Sequence, residues 1–306
     1  MRTDRLKKPP DKRLDGEPPR QMIHRAEELA ATLPPLLVAA ERVAATVSQG
    51  VHGRRRVGQG ETFWQFRRYQ AGDSAQRIDW RQSGKSQRVY VRETEWEAAQ
   101  TVWLWRDASP SMIYHSANAW PQKVERAELL LLALGSLLIR GGEHVGLLGD
   151  EAGPGSGRKA LRRLAASLER RRSSDSLPVL EPLPRFARVV IFGDFLLPLE
   201  DIQTRLADFA ARGIRGHLVQ VVDPAEENLP FSGRILFEGV EGEGKILFGR
   251  TESVRDDYHA AIAAHRRGLQ ELARTAGWTL LTHHTDQSPQ PPLMALFMAL
   301  SEAGGR

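Results

Sequence analysis

The segment Val102-Trp-Leu-Trp-Arg-Asp-Ala-Ser-Pro-Ser-Met112 decides the fold. It begins with an apolar run, which is typical of a strand buried on both faces, and polar residues follow directly. A second apolar run at residues 188–192 ends in the same way, with Gly193 and Asp194. Buried strands that end in polar loops indicate an α/β protein with a Rossmann-like, doubly wound and mostly parallel sheet.

The chain from residue 99 to residue 306 alternates between strand and helix patterns, as a parallel sheet requires. The predicted strands are residues 102–106, 144–148, 188–192, 217–222 and 279–282. The predicted helices are residues 124–140, 159–172, 200–212, 254–276 and 293–303. Residues 129–139 are apolar nearly all round, so we expect their helix to lie between the sheet and another layer.

Two short patterns in this region predict turns rather than ligand sites. Residues 239–245 have the spacing of a phosphate-binding loop, but Ile246 stands where Ser or Thr must ligate Mg²⁺. Strand-like residues flank this stretch, so it predicts a β-hairpin. Asp223 and Pro224 follow an apolar strand and predict a simple turn.

The first hundred residues divide into three parts before the α/β region. Residues 1–20 are charged and proline-rich, which predicts a disordered tail. Residues 21–49 have apolar positions at helical spacing, and Pro34 and Pro35 are expected to break them into two helices. Residues 50–98 mix glycine, arginine and aromatic residues and predict a small β-rich module.

The composition excludes several classes of protein. The 306 residues contain no cysteine, which excludes disulfide scaffolds, cysteine-ligated metals and a cysteine nucleophile. The longest apolar stretch is well short of the ~20 residues that cross a bilayer, and the N-terminus has no apolar signal region. We therefore expect a cytoplasmic protein. The formal net charge is +5, with basic residues concentrated at residues 53–92 and 158–172.

Polar oxygens gather at the ends of the two predicted strands quoted first. Asp107, Ser109 and Ser111 follow one strand, and Asp194 follows the other. The carboxyl ends of parallel strands share one edge of a sheet, where ligands bind. Carboxylate and hydroxyl oxygens suit Mg²⁺, or Mn²⁺ or Ca²⁺ in its place. Each aspartate alone is also typical of a helix cap or a turn.

This pattern resembles the metal-ion-dependent adhesion site of von Willebrand factor type A domains. The resemblance implies that Ser109 and Ser111 ligate the ion directly, that Asp107 acts through water and that Asp194 completes the site. A partner carboxylate often fills the open position in that family. The family's threonine loop is missing, and Ser173 and Ser174 at the matching place are candidates to replace it.

The preceding module resembles the signature of the bacterial domain-of-unknown-function 58 family. The matching segments are Gly60-Glu61-Thr-Phe63-Trp-Gln-Phe66-Arg67-Arg-Tyr69-Gln-Ala-Gly72-Asp73 and Arg77-Ile-Asp79-Trp80-Arg81-Gln-Ser83-Gly-Lys85. The resemblance implies a von Willebrand A-like domain after the module. It also implies a non-enzymatic adaptor that works with a MoxR-type AAA+ ATPase and client proteins in the maturation or remodelling of complexes. Contact with the inner membrane would then occur through partners.

The basic and aromatic residues of the module are candidates for partner binding, because such residues dominate protein-docking surfaces. The candidates are Arg67, Tyr69, Asp73, Arg77, Asp79, Trp80 and Arg81.

Three alternatives stay open at this point. The carboxylates could pair with arginines while the aromatic residues form a local core. The module could bind nucleic acid through phosphate contacts and stacking on its aromatic residues. The chain could also be a Mg²⁺-dependent phosphohydrolase with Asp107 as nucleophile and Asp194 as metal ligand, although Ser109 stands where the general acid belongs.

Overall fold

The computed structural model describes residues 35–51, 63–69, 78–85, 88–94, 100–117, 119–170, 175–239 and 244–302. The strands in these ranges are β1 Phe63–Arg68, β2 Tyr90–Thr94, β3 Thr101–Arg106, β4 His144–Leu147, β5 Arg188–Gly193, β6 Arg215–Val222, β7 Ile235–Glu238, β8 Lys245–Phe248 and β9 Thr279–His284. The helices are α1 Pro35–Val51, α2 Trp80–Ser83, α3 Lys123–Arg140, α4 Gly157–Arg170, α5 Leu199–Ala211, α6 Pro224–Asn228, α7 Arg255–Thr275 and α8 Gln290–Glu302.

A five-stranded parallel sheet occupies the centre of the fold. Its strand order is β4-β3-β5-β6-β9, and all neighbouring pairs are parallel. The five strands predicted for this region are thus confirmed, as is the doubly wound α/β class. The chain runs from β3 to β4 on one side and then crosses to β5 on the other side of β3. The carboxyl ends of β3 and β5 therefore flank a topological switch point, where α/β proteins bind ligands.

Alternate residues of β3 enter two separate cores, one on each face of the sheet. Val102 and Leu104 pack in the core that α1, α3, α4 and α8 cover. Trp103 and Trp105 pack in the core of the opposite face, which α5 and α7 cover. Burying one large apolar side chain stabilises the fold by roughly 1.5–3 kcal/mol, so both faces contribute strongly.

Helix α3 lies between the sheet and α1, as its apolar circumference predicts. Its side chains contact both β3 and α1 within a single core. A capping box starts the helix, with the Gln122 backbone amide donating to Glu125 Oε2 at 3.0 Å. Leu37 and Ala44 of α1 are buried in this core. The position of α1 on α3 could not be predicted from the sequence.

The peripheral predictions have mixed outcomes. Strands β1 and β2 pair antiparallel in the predicted β-rich module. Strands β7 and β8 pair antiparallel, which confirms the predicted hairpin. Helix α1, Pro35–Val51, lies in the second helical stretch that the sequence predicts. The predicted break cannot be compared with the structure, because Pro34 lies outside the described residues. The predicted tail and the first predicted helix lie outside the described residues. Within the described ranges, every helix is too short or too polar to cross a membrane.

Candidate functional site

The loops after β3 and β5 bring together four of the residues predicted as metal ligands. The Asp107 amide donates to the carbonyl of Phe192 at 2.8 Å, which extends the pairing of the two strands into the loops. A Cβ at Gly193 would lie 3.1 Å from Cβ of Asp107, so the absence of a side chain at this position lets the loops approach. Asp107 and Asp194 are 1% and 3% exposed, so the cluster is largely closed to solvent.

A chain of hydrogen bonds connects the four predicted ligands. The Ser109 amide donates to Asp107 Oδ1 at 2.7 Å, and Ser111 Oγ donates to Asp194 Oδ2 at 2.7 Å. The two serine hydroxyls lie 3.0 Å apart. A hydroxyl has a single proton, and that of Ser111 is directed to Asp194, so Ser109 donates to Ser111. Hydrogen bonds therefore join the four residues into one cluster.

A buried lysine completes the cluster and was not predicted. Lys123 is the first residue of α3 and is 0% exposed. Its Nζ donates to Asp194 Oδ2 at 2.9 Å and also contacts Glu226 Oε1. Buried ammonium groups are rare unless they are paired, and this one is paired with two carboxylates. Nothing in the sequence marks Lys123, because lysine at a helix start is usually exposed.

Glu226 reaches the cluster from α6, where the sequence predicts only a turn. That prediction is wrong: Asp223 is the N-cap of α6, with its Oδ1 accepting from the Ala225 amide at 2.9 Å. The Asp223 amide donates to Glu226 Oε2 at 2.9 Å, which closes a capping box and orients Glu226 towards Lys123. The spacing Asp-x-x-Glu is a cap signal that could have identified both residues.

Asp223 also ties a third loop to the carboxyl edge of the sheet. Its Oδ2 accepts from the Ser116 amide at 2.9 Å, and the residue is fully buried. Ser116 lies on the segment that connects the serine cluster to α3. The carboxylates of Asp194 and Asp223 thus hold the loops after β3, β5 and β6 in one arrangement.

The buried charges shift the acidities of the neighbouring groups. Burial alone would lower the pKa of the Lys123 ammonium, but attraction by Asp194 and Glu226 outweighs burial and raises this pKa. The ammonium is therefore charged at neutral pH. Burial raises the pKa of Glu226, and Lys123 offsets only part of this effect. Burial, with the nearby Glu226 charge, raises the pKa of Tyr258 to about 12.

The atoms around Asp194 fit an ammonium better than a divalent ion. Oδ2 of Asp194 already accepts hydrogen bonds from Lys123 and Ser111. Among the residues that the structure describes, no three His, Cys, Asp or Glu side chains are grouped to hold a metal. Ser173 and Ser174 lie outside the described residues. Mg²⁺, Mn²⁺ or Ca²⁺ at this site stays a prediction.

The predicted partner-binding residues of the module are only partly described. Tyr69 and Trp80 are 40% and 69% exposed, so neither side chain is buried in a local aromatic core. Asp79 is the N-cap of α2 and accepts from the Gln82 amide at 2.8 Å, and Arg81 is exposed. Arg67 belongs to β1, while Asp73 and Arg77 lie outside the described residues.

The family model described as "Protein of unknown function DUF58" matches residues 65–268, which is more than half of the chain. The chain belongs to the DUF58 family. The match covers most of the described part of the β-rich module and four of the five strands of the parallel sheet. It therefore confirms the family resemblance found in the signature residues of the module.

Relatives of this DUF58 protein occur in mycobacteria. The chain is 25% identical over 282 residues to the uncharacterized protein Rv1480 of Mycobacterium tuberculosis, covering 85% of this chain and 86% of the relative. The same values hold for the uncharacterized protein Mb1516 of Mycobacterium bovis. The uncharacterized protein MAV169 of Mycobacterium avium is 33% identical over 106 residues, covering 35% of this chain and 62% of the relative.

Two solved structures from Bacteroides also resemble this DUF58 chain. An aerotolerance-related membrane protein of Bacteroides fragilis, solved with multiple mutations to serines, aligns with a TM-score of 0.41 and 17% identity. The conserved hypothetical protein BatB of Bacteroides thetaiotaomicron aligns with a TM-score of 0.35 and 16% identity. Each alignment covers 67% of this chain and 100% of the neighbour.

Proposed function

We propose that this DUF58 protein is a non-enzymatic adaptor that binds a partner protein with the loops after β3 and β5. The partner that we propose is a MoxR-type AAA+ ATPase, which would act on client proteins during the maturation or remodelling of complexes. The choice of partner rests on the family to which the chain belongs. The choice of surface rests on the geometry of the loops.

The observation that carries the proposal is a pair of exposed aliphatic side chains on two loops that are tied together. Ile113 and Leu196 are 58% and 45% exposed. Ile113 lies two residues after Ser111, and Leu196 lies two residues after Asp194. Ser111 donates a hydrogen bond to Asp194 at 2.7 Å, which ties the two loops together. The buried cluster therefore presents both side chains from a rigid base. We call Ile113, Leu196 and the loops that carry them the apolar rim.

Rigid apolar side chains suit protein binding, because a preordered surface loses little conformational entropy when a partner docks. The hydroxyls and carboxylates beneath the apolar rim already form hydrogen bonds with neighbouring groups of the cluster. They serve to position the rim rather than to contact the partner. Exposed Trp80 and Arg81 of the module offer a second set of residues of the kind that dominates docking surfaces.

The phosphohydrolase alternative has weaker support from the same geometry. A nucleophilic Asp107 would have to reach a phosphate ester, but its side chain is 1% exposed and its Oδ1 accepts from the Ser109 amide. Ser109 itself is fully buried and has no acidic proton to give a leaving group. The buried cluster therefore favours a positioning role over a catalytic one.

The test measures the affinity of the full chain for a MoxR-type AAA+ ATPase, the partner that we propose. Ile113→Glu and Leu196→Glu should each weaken binding by at least tenfold, because a charge would be buried in the interface. The matched control is Val179→Glu, since Val179 is 62% exposed and lies in the segment before β5 rather than on the apolar rim. Equal affinity for all four proteins would refute the proposed surface, and no binding at all would refute the proposed partner.

A further inference from the structure

We propose that the ammonium of Lys123 replaces the divalent ion at this adhesion-type site, so that the loops after β3 and β5 are held together without a metal. The proposal concerns how the site is built. It does not depend on the partner or on the apolar rim. It differs from the expectation that the serine motif alone supports, which is a bound Mg²⁺.

The hydrogen bonds at Asp194 leave little capacity for an ion. Oδ2 accepts from Lys123 Nζ at 2.9 Å and from Ser111 Oγ at 2.7 Å, while Oδ1 accepts from the Leu196 amide at 3.2 Å. A carboxylate oxygen offers two lone pairs, so Oδ2 is fully used. A Mg²⁺ ion bound to Oδ2 at ~2.1 Å would have to displace one of these donors.

The charge of Lys123 also opposes a second cation. An ammonium and a divalent ion that share one carboxylate lie within a few ångströms of each other, where repulsion in a poorly solvated site is strong. The Lys123 side chain is 0% exposed and that of Asp194 is 5% exposed, so water screens this repulsion poorly. The lysine is thus the cation that neutralises the buried carboxylates.

The place of Lys123 in its helix supports the same conclusion. The start of a helix carries a partial positive charge, which disfavours a lysine in the first turn. Lys123 is nevertheless the first residue of α3, and its side chain is turned inwards to Asp194 and Glu226. Only the attraction of these carboxylates explains a buried ammonium at that position. The capping box of α6 orients Glu226. Lys123 therefore connects the start of α3 to the start of α6.

The experiment compares wild type with Lys123→Met, which shortens the unbranched side chain by one heavy atom and removes its charge. Melting temperatures are measured for the full chain in EDTA and in MgCl₂ or MnCl₂, and the same salts are titrated by calorimetry. Wild type should show the same melting temperature in each solution and no saturable heat. Lys123→Met should melt roughly 10 °C lower in EDTA, because two buried carboxylates lose their counter-ion, and a divalent salt should restore part of the loss.

The control is Lys159→Met, an exposed lysine on α4, which should match wild type in every solution. Saturable binding of Mg²⁺ or Mn²⁺ to wild type, or a melting temperature that EDTA lowers, would overturn the proposal. A Lys123→Met chain as stable as wild type would overturn it as well. If Lys123→Met fails to fold in EDTA, the wild-type titration decides between the two outcomes.

Discussion

Lys123 Nζ lies 2.9 Å from Oδ2 of Asp194, and the two side chains are 0% and 5% exposed. This ion pair links the start of α3 to the end of β5, and it lies at the switch point of the sheet. The same oxygen, Oδ2 of Asp194, also accepts a hydrogen bond from the Ser111 hydroxyl. One carboxylate oxygen therefore connects the serine loop, the start of α3 and the end of β5, and its removal should have consequences for all three.

Replacing Asp194 by Asn should destabilise the fold by about 3–5 kcal/mol, because Lys123 would lose one of its two counter-charges while staying buried. The free energy of unfolding in urea measures this change. The control is Glu238→Gln, which breaks an ion pair with Lys245 whose side chains are 62% and 58% exposed. Such exposed pairs contribute about 0–1 kcal/mol. Equal losses in the two variants would show that the buried pair has no special role.

Replacing Asp223 by Ala should cost about 1–2 kcal/mol, because α6 loses its N-cap and the Ser116 amide loses its acceptor. The variant should also release the capping box that orients Glu226. Unfolding in urea measures the stability, and hydrogen exchange at the Ser116 amide reports the local change. Unchanged protection of that amide would contradict the role assigned to Asp223.

Stability should fall as the pH drops from about 6.5 towards 4, because a buried histidine resists protonation. Burial, with repulsion from Arg188, lowers the pKa of His217 to about 4. The unfolded chain therefore binds a proton at a higher pH than the folded chain does. The folded state loses up to about 3 kcal/mol from this group as the pH falls through that window.

His283 behaves alike, with a pKa of about 4 that results from burial and the nearby Arg126. Urea unfolding at a series of pH values measures the total effect. In His217→Asn, the free energy of unfolding should fall less between pH 6.5 and 4 than in wild type. The difference is the contribution of that one histidine. A wild-type stability that stays constant over this range would show that neither histidine is held neutral by the fold.

Replacing Gly216 by Ala should destabilise the protein by about 3 kcal/mol, because the sheet has no room for a methyl group there. The added Cβ would lie 2.4 Å from the Val189 carbonyl oxygen and 2.5 Å from the Trp278 ring. Gly249→Ala is the matched control, since a Cβ at that position meets no atom within 4 Å. Thermal unfolding of the two variants should separate them by several degrees.

The parallel sheet could be predicted because its strands are continuous apolar runs, and such runs arise when both faces are covered. The meeting of Asp107, Ser111 and Asp194 followed from the same pattern, since parallel strands end at one edge. The position of α1 could not be predicted in this way, because its apolar stripe on Leu37 and Ala44 fits any apolar surface. Packing against α3, α4 and α8 determines its place.

The cation of the site could not be predicted, because no local pattern identifies a buried lysine. The hydroxyl and carboxylate spacing in residues 107–111 favours a metal when it is considered alone. Lys123 approaches from α3 and Glu226 from α6, so the charge balance depends on tertiary contacts. The cap formed by Asp223 and Glu226 was detectable from its spacing, but its contact with Lys123 was not.

A crystal structure of the wild-type chain grown in MnCl₂ would examine the buried cluster directly, since manganese gives an anomalous signal that a lysine cannot. The structure predicts no anomalous peak among Asp107, Ser109, Ser111 and Asp194, with Nζ of Lys123 bonded to Asp194. An anomalous peak within ligand distance of the two serines and Asp194, with Lys123 displaced from the carboxylate, would contradict the proposed replacement of the metal by the lysine.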